Sequence, residues 1–252
     1  MTNDISPSSA ISDLVVRSVE TDGRKYGEYR QNLRYDFFHC CAYCTMSEAE
    51  ASSVRFTIDH YEPVTARPEL EHDYENLMYC CNTCNTLKGP RVVPPEAKAD
   101  GTRFFRPDFD RFVEHYERVG VRLRGLSKLA EFTIDAVDLN RYALRRLREI
   151  RNDLYQCEVI VSQGIKALRG LKIDLLPKSI RISALNAIRD MDAAHESIAA
   201  AIDNILRDYA ASFNLEAGES DAADKEERLD RLREVEALYP GSVWRVRKPK
   251  KA

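Results

Sequence analysis

Apolar and polar residues alternate with short, changing periods in the first third of the chain. In residues 24–39 the apolar side chains recur at mostly three- and four-residue spacings, which predicts a helix with one buried face. Residues 54–63 are rich in β-branched and aromatic residues and stop at Pro63, so they predict a short strand that ends in polar residues. Residues 75–89 predict a short helix or turn-helix that is closed by Gly89.

Longer apolar repeats dominate the rest of the chain. Residues 103–138 contain aromatic and β-branched runs with gaps at glycines, and they predict additional strands or a hairpin. Beyond Asn140 an apolar stripe alternates between three- and four-residue spacings as far as Leu168, which predicts a long amphipathic helix. A second stripe, from Ile182 to Tyr209, predicts a helix that packs against the first one as an antiparallel pair.

A last apolar stripe precedes a basic segment. Residues 217–238 begin as a flexible acidic stretch and continue as a short helix with four apolar residues on one side. Those residues are Leu229, Leu232, Val235 and Leu238. The expected organisation is a flexible segment over 1–23, an α+β domain over 24–140, a mainly α-helical domain over 141–240 and a basic tail over 241–252.

Composition agrees with a globular chain and excludes few classes of function. The 252 residues, 44% of them hydrophobic, suffice for one large domain or two small ones. The formal net charge is -3, so any surface for nucleic acid must be a local basic patch. No window reaches the roughly 20 apolar residues that a membrane helix needs, and the polar first residues lack the apolar core of a signal peptide. We therefore expect a cytoplasmic protein without a membrane partner.

Six of the seven cysteines fall in two tight clusters. Such clustering points to metal ligation, because a disulfide framework normally spreads its cysteines along a secreted chain; buried reduced cysteines are the alternative. The spacing favours two C-x-x-C pairs as ligands of a tetrahedral Zn²⁺, namely Cys41 with Cys44 and Cys81 with Cys84. Their neighbours Cys40 and Cys80 are then expected to pack inward. Four thiolates leave no position open for water, so this zinc is expected to be structural.

A second chemical group lies between the two cysteine pairs. Asp59 and His60 stand next to each other at the end of the predicted strand. A carboxylate that binds a hard cation, beside an imidazole that takes a proton, is what metal-assisted phosphodiester cleavage requires. The dipeptide alone is weak evidence. Further polar residues strengthen it, because Asn76, Asn85 and Lys88 recur where the zinc ligands fix the chain.

The order of these motifs resembles the HNH endonuclease family with its ββα-metal finger. Over residues 33–89 the sequence reads C-x-x-C, then IDHYEP, then ENL, then C-x-x-C-N-x-x-K. Residues 103–148 are similar to downstream segments of bacterial stand-alone members. The resemblance implies an α+β fold, with a zinc-stabilised finger and added strands, followed by a mainly α-helical domain.

The resemblance also implies a role for each polar residue of the site. His60 matches the general base that activates water. Asp59 and Asn85 match the ligands of a catalytic Mg²⁺ or Mn²⁺, and Asn85 stands where many relatives have histidine. Asn76 matches the residue whose amide braces the loop that carries the base. Lys88, one helical turn after Asn85, is expected to contact a phosphate of the nucleic acid.

The function that the resemblance implies is hydrolysis of DNA by in-line attack of a water that His60 activates. Similarity to bacterial stand-alone members further suggests the nuclease component of an anti-phage defence system, with an ATPase partner subunit or a homodimer formed through the helical domain. The alternative is a catalytically silent, zinc-stabilised module that binds nucleic acid or protein. The intact Asp59, His60 and Asn85 argue against that alternative, because a binding module needs no ion-and-base pair.

Overall fold

A computed structural model describes residues 14–51, 54–169, 176–187, 189–190 and 220–245. The chain divides into two compact units, of which one comprises Met1–Arg146 with Glu216–Ala252 and the other Leu147–Leu215. The predicted α+β class is confirmed, since helices and small antiparallel sheets occur together in the first unit and helices follow. Within the described ranges, no helix has the length and apolar character needed to cross a membrane.

Short elements build the described part of the first unit before residue 140. The helices are α1 (Arg30–Asp36), α2 (Glu48–Ala51), α3 (Asn82–Lys88), α4 (Pro95–Ala99), α5 (Phe112–His115) and α6 (Lys128–Ala136). The strands are β1 (Phe56–His60), β2 (Leu77–Cys81), β3 (Tyr116–Val119) and β4 (Arg122–Gly125). Short 3-10 turns cover Tyr26–Tyr29, Pro68–Leu70 and Tyr74–Asn76.

β1, β2 and α3 form one compact ββα arrangement. The two strands pair antiparallel, with Phe56 opposite Cys81 and His60 opposite Leu77. α3 follows β2 directly, and the Cys81 sulfur caps it by accepting a hydrogen bond from the Cys84 amide. The prediction of a helix or turn-helix over residues 75–89 is wrong in its first half, where β2 lies. All five β2 residues are buried, so the alternation that identifies a strand is missing from the sequence.

The predicted hairpin after residue 103 is confirmed as β3 and β4, which pair antiparallel. The same stretch also contains α6, which the sequence pattern did not predict. β4 and α6 approach closely at Gly125, where a Cβ atom would lie 2.7 Å from the Glu131 backbone nitrogen. Glycine at this position therefore permits the contact between strand and helix.

The predicted long helix is confirmed as α7 (Tyr142–Arg169). It begins in the first unit and continues into the second. Residues 178–187 and 189–190 are also helical, but Ile182 and Leu185 of the second predicted stripe are exposed. The remainder of that stripe, and with it the predicted antiparallel pair, lies outside the described residues.

The predicted short helix is confirmed as α8 (Ser220–Ala237), which belongs to the first unit. It begins at Ser220, near the start of the segment 217–238, whose first part had been predicted to be flexible. Leu232 is buried, whereas Leu238 lies beyond the helix and is 71% exposed, contrary to its predicted place on the apolar side. α8 contacts α6 through Arg231, which forms an ion pair with Asp135 at 2.8 Å.

The segment after α8 also returns to the first unit. The amide of Val92 donates a hydrogen bond to the Trp244 carbonyl at 2.9 Å, and the Trp244 ring packs 5.9 Å from that of Phe132. Near the first described residues of the chain, Arg17 donates a hydrogen bond to the Leu77 carbonyl at 2.7 Å and forms an ion pair with Asp108 at 2.9 Å. The predicted domain boundaries stay a prediction.

Candidate active site

The four cysteines selected by spacing converge in the folded chain. The sulfur atoms of Cys41, Cys44, Cys81 and Cys84 all lie within 4.8 Å of one another, and all four residues are buried. The Cys44 and Cys81 sulfurs are 3.8 Å apart. A regular tetrahedron with Zn–S bonds of about 2.3 Å has edges of about 3.8 Å, so this spacing suits zinc. The cluster supports a structural Zn²⁺ that joins the first knuckle to the start of α3.

Electrostatics at the cluster favour negative charge on Cys44. Hydrogen bonds from Cys41, Cys81 and Cys84 hold the pKa of the Cys44 thiol well below its ordinary value, whereas burial raises the pKa of the Cys41 thiol. Arg141 donates to the Cys84 sulfur at 3.5 Å, and to the backbone carbonyls of Val137 and Asp138. Burial acts to lower the pKa of Arg141, but the negative charge on the cysteine sulfurs more than offsets it and raises that pKa. A buried guanidinium beside four sulfurs is what an anionic metal–thiolate centre needs for charge balance.

The two extra cysteines lie outside the cluster. Cys80 is buried on β2, and burial raises the pKa of its thiol well above the ordinary value. Cys40 is half-buried, and its sulfur lies 3.3 Å from the Phe38 carbonyl oxygen. The expectation that both pack inward therefore describes Cys80 better than Cys40.

His60 is the last residue of β1, and its ring is held on two sides. The His60 Nε2 atom lies 2.9 Å from the Glu71 carbonyl oxygen. The ring of Tyr26 meets the His60 ring edge-on, with 5.0 Å between centroids, and stacks on the exposed His72 ring at 6.1 Å. Because a carbonyl oxygen only accepts hydrogen bonds, Nε2 must carry the proton in this arrangement. In the neutral ring, Nδ1 is then the atom that carries the lone pair.

Asp59 points away from His60, as alternation along a strand requires, and is buried. Its Oδ2 atom accepts a hydrogen bond from the Tyr43 hydroxyl at 2.6 Å. Its Oδ1 atom lies 3.1 Å from the Lys88 ammonium, which also donates to the His60 carbonyl at 2.8 Å. A buried Lys88 that is paired in this way does not fit the expected phosphate contact.

Asn76 lies in the 3-10 turn that precedes β2 and is buried. Its side-chain oxygen accepts a hydrogen bond from the Glu62 amide at 2.8 Å. Its side-chain nitrogen donates to the carbonyls of Glu62 at 3.1 Å and Leu70 at 3.2 Å. These bonds tie both ends of the loop between β1 and β2 together, which is the geometry that a bracing role requires.

Asn85 lies on α3, one turn before Lys88, and is half-buried. Residues three apart on a helix share a face, so Asn85 lies on the side of α3 from which Lys88 reaches Asp59. The structure thus brings His60, Asp59, Asn76 and Lys88 together around the end of β1.

Three contributors to this site were not predicted from the sequence. Tyr43, inside the first C-x-x-C pair, contacts Asp59, Tyr26 contacts His60 from outside the motif, and the Glu71 carbonyl orients the base. Tyr43 carried one signal, because a tyrosine inside a buried cysteine knuckle needs a partner for its hydroxyl. A backbone carbonyl carries no signal, since every residue has one.

Residues 41–91 match the family model described as HNH endonuclease. The matched segment begins at the first zinc-site cysteine and ends just after α3, so it contains β1, β2 and the polar residues described above. The resemblance predicted from the motifs is thereby confirmed over this segment. The match indicates a nuclease-type function in general. A search of curated proteins found no match.

Proposed function

We propose that this protein is a metal-dependent endonuclease that hydrolyses phosphodiester bonds of DNA, with His60 as its general base. The observation that carries the proposal is the hydrogen bond between His60 Nε2 and the Glu71 carbonyl, at the end of a strand that also carries Asp59. It fixes the tautomer in which Nδ1 is basic, and the ring is only half-buried, so a water can reach it.

His60 would act by taking a proton from that water as it attacks phosphorus. Neutral imidazole is the competent form, and the contacts with Tyr26 and the Glu71 carbonyl keep the ring in one orientation while the proton arrives on Nδ1. The resulting imidazolium keeps its Nε2 hydrogen bond, which stabilises the positive charge. Orientation of the ring before the reaction lowers the entropic part of the barrier.

Asp59 and Asn85 would hold the catalytic cation. One carboxylate and one amide oxygen suit a hard divalent ion such as Mg²⁺ or Mn²⁺, and the Oδ1 atom of Asp59 keeps a lone pair beyond its contact with Lys88. Such an ion, when bound, stabilises charge on the phosphoryl group and on the leaving oxygen. The Zn²⁺ at the four cysteines is assigned a structural role, because four sulfurs fill its coordination.

Cleavage of supercoiled plasmid tests this proposal directly. Wild type, His60→Ala and the matched control His39→Gln are compared with Mg²⁺, with Mn²⁺ and with EDTA. Wild type and the control are expected to nick or linearise the DNA only with metal. Loss of the base is expected to lower the rate by about 10² to 10⁴-fold. Equal cleavage by wild type and His60→Ala, or cleavage in EDTA, contradicts the assignment.

The biological setting is proposed from the resemblance. The nuclease is assigned to an anti-phage defence system, with the helical residues after 141 meeting an ATPase subunit or a second copy of the chain. The separate compact unit Leu147–Leu215 supports a partner-binding role, because the described active-site residues all lie in the other unit. The mass of the protein in solution, measured with and without candidate subunits, tests it. A monomer under every condition contradicts it.

A further inference from the structure

A buried ionic contact connects the end of α3 to the end of β1. The Lys88 Nζ atom lies 3.1 Å from Asp59 Oδ1, 3.0 Å from Asp59 Oδ2 and 2.8 Å from the His60 carbonyl oxygen. The Lys88 side chain has no exposed surface, and the Phe104 ring lies 5.4 Å from its ammonium group. To reach a phosphate, this ammonium would have to leave Asp59 as a buried and unpaired charge, which is strongly unfavourable.

The hydroxyl of Tyr43 holds the same carboxylate from a different part of the chain. Tyr43 lies inside the first C-x-x-C pair and donates to Asp59 Oδ2 at 2.6 Å. A carboxylate oxygen only accepts hydrogen bonds, so the Tyr43 hydroxyl is the donor in this contact. Asp59 is therefore tied to the zinc knuckle by Tyr43 and to α3 by Lys88.

We propose that Lys88 and Tyr43 are positioning residues for the cation-binding carboxylate of Asp59. Lys88 also fixes the peptide from which His60 projects, and it does not contact the substrate. This inference rests on the proposed function, because it takes Asp59 as a ligand of the catalytic ion. Carboxylates that bind metals are commonly oriented by hydrogen bonds of this kind, and loss of such a partner weakens metal binding. A single network would then connect the zinc site, the cation ligand and the base.

The test compares Tyr43→Phe and Lys88→Met with Tyr74→Phe as a matched control. Tyr74 is also buried, and its hydroxyl also donates to a carboxylate at 2.6 Å, that of Asp36, which is outside the Asp59 network. Three quantities are measured: Mn²⁺ binding by electron paramagnetic resonance, the single-turnover cleavage rate, and the salt dependence of DNA binding in EDTA. Asp59→Asn is the reference variant, which shows the Mn²⁺ signal of a protein that has lost its cation site.

Tyr43→Phe is expected to weaken Mn²⁺ binding by about 10-fold or more and to slow the single turnover, with an unchanged salt dependence of DNA binding. Lys88→Met is expected to show larger losses of the same kind. Tyr74→Phe is expected to match wild type in all three measurements. Circular dichroism and zinc content establish that each variant is folded, and Tyr43→Phe decides the proposal if Lys88→Met does not fold.

Two results would overturn the inference. Wild-type Mn²⁺ affinity in Tyr43→Phe contradicts the positioning role of Tyr43. The second result concerns Lys88→Met and combines unchanged Mn²⁺ binding with a slope of log K for DNA binding against log[salt] that is smaller by about 0.9. Such a change indicates one lost phosphate contact and contradicts the positioning role of Lys88. Because Mn²⁺ binding is measured without cleavage, a wild type that binds Mn²⁺ through Asp59 yet cuts no DNA contradicts the proposed nuclease function alone.

Discussion

The orientation of His60 depends on a backbone group, not on a second acidic side chain. Its partner is the carbonyl of Glu71, which lies in the loop between β1 and β2. A loop carbonyl orients a ring only as well as the loop itself is fixed. Asn76 supplies that restraint, because its amide bonds to the backbone at two separate points of the loop, Glu62 and Leu70.

Asn76→Ala is therefore expected to slow the cleavage step. The substitution leaves half-buried backbone groups of Glu62 and Leu70 without their Asn76 partner and frees the loop that orients His60. We expect a loss of about 10²-fold in single-turnover rate, since small displacements of a catalytic group have effects of this size. Zinc content is expected to stay the same. Asn82→Ala, an exposed position on α3, is the control. An unchanged rate in Asn76→Ala would contradict the bracing role.

At the scale of elements, the sequence predicted those with a clear period or a clear end. β1 stops at polar residues and α7 has one apolar face, and both were found where the pattern placed them. α6 was missed although Lys128, Glu131 and Asp135 recur in it at helical spacing. β2 was missed because all five of its residues are buried and it shows no alternation. Burial on all sides removes the periodicity from which an element is identified.

The sequence likewise predicted some features of the candidate site and missed others. Spacing was enough to select the four clustered cysteines, because two C-x-x-C pairs restrict where their sulfurs can lie. It was not enough for Lys88, whose side chain turns inward to Asp59 although a lysine after a helical turn is usually exposed. Contacts of this kind depend on how α3 packs on β1, which no local pattern encodes.

Arg141 directly precedes α7 and contacts the zinc site, and we predict that this contact supports zinc binding. Arg141→Met removes the positive charge beside Cys84 and is expected to weaken zinc binding by about 10- to 100-fold. Zinc release to a chromophoric chelator measures the effect. Arg145→Met is the matched control, because Arg145 lies one turn later and pairs with Asp224. Equal zinc release from the two variants would contradict a role for Arg141 at the metal.

At the scale of the whole molecule, the finger belongs to a unit made of two separate stretches of chain. Residues 216–252 return to the unit that contains β1, β2 and α3, and Leu147–Leu215 form the other unit. Arg228 of α8 donates to the Asp135 carbonyl of α6, and Arg231 pairs with the Asp135 side chain. Truncation after the finger would therefore remove part of the unit that carries it. A deletion that tests the role of the helical unit has to retain the segment with α8 and Trp244.

Trp244→Ala tests whether this returning segment stabilises the unit that carries the site. The Trp244 side chain is 6% exposed and packs on Phe132 of α6, so its removal leaves a cavity and is expected to cost about 3–5 kcal/mol of unfolding free energy. Leu238→Ala, at an exposed position in the same segment, is expected to change stability by less than about 0.5 kcal/mol. Denaturant titration measures both. If the two variants unfold at the same denaturant concentration, the segment contributes little, and the unit is held together by residues before α7 alone.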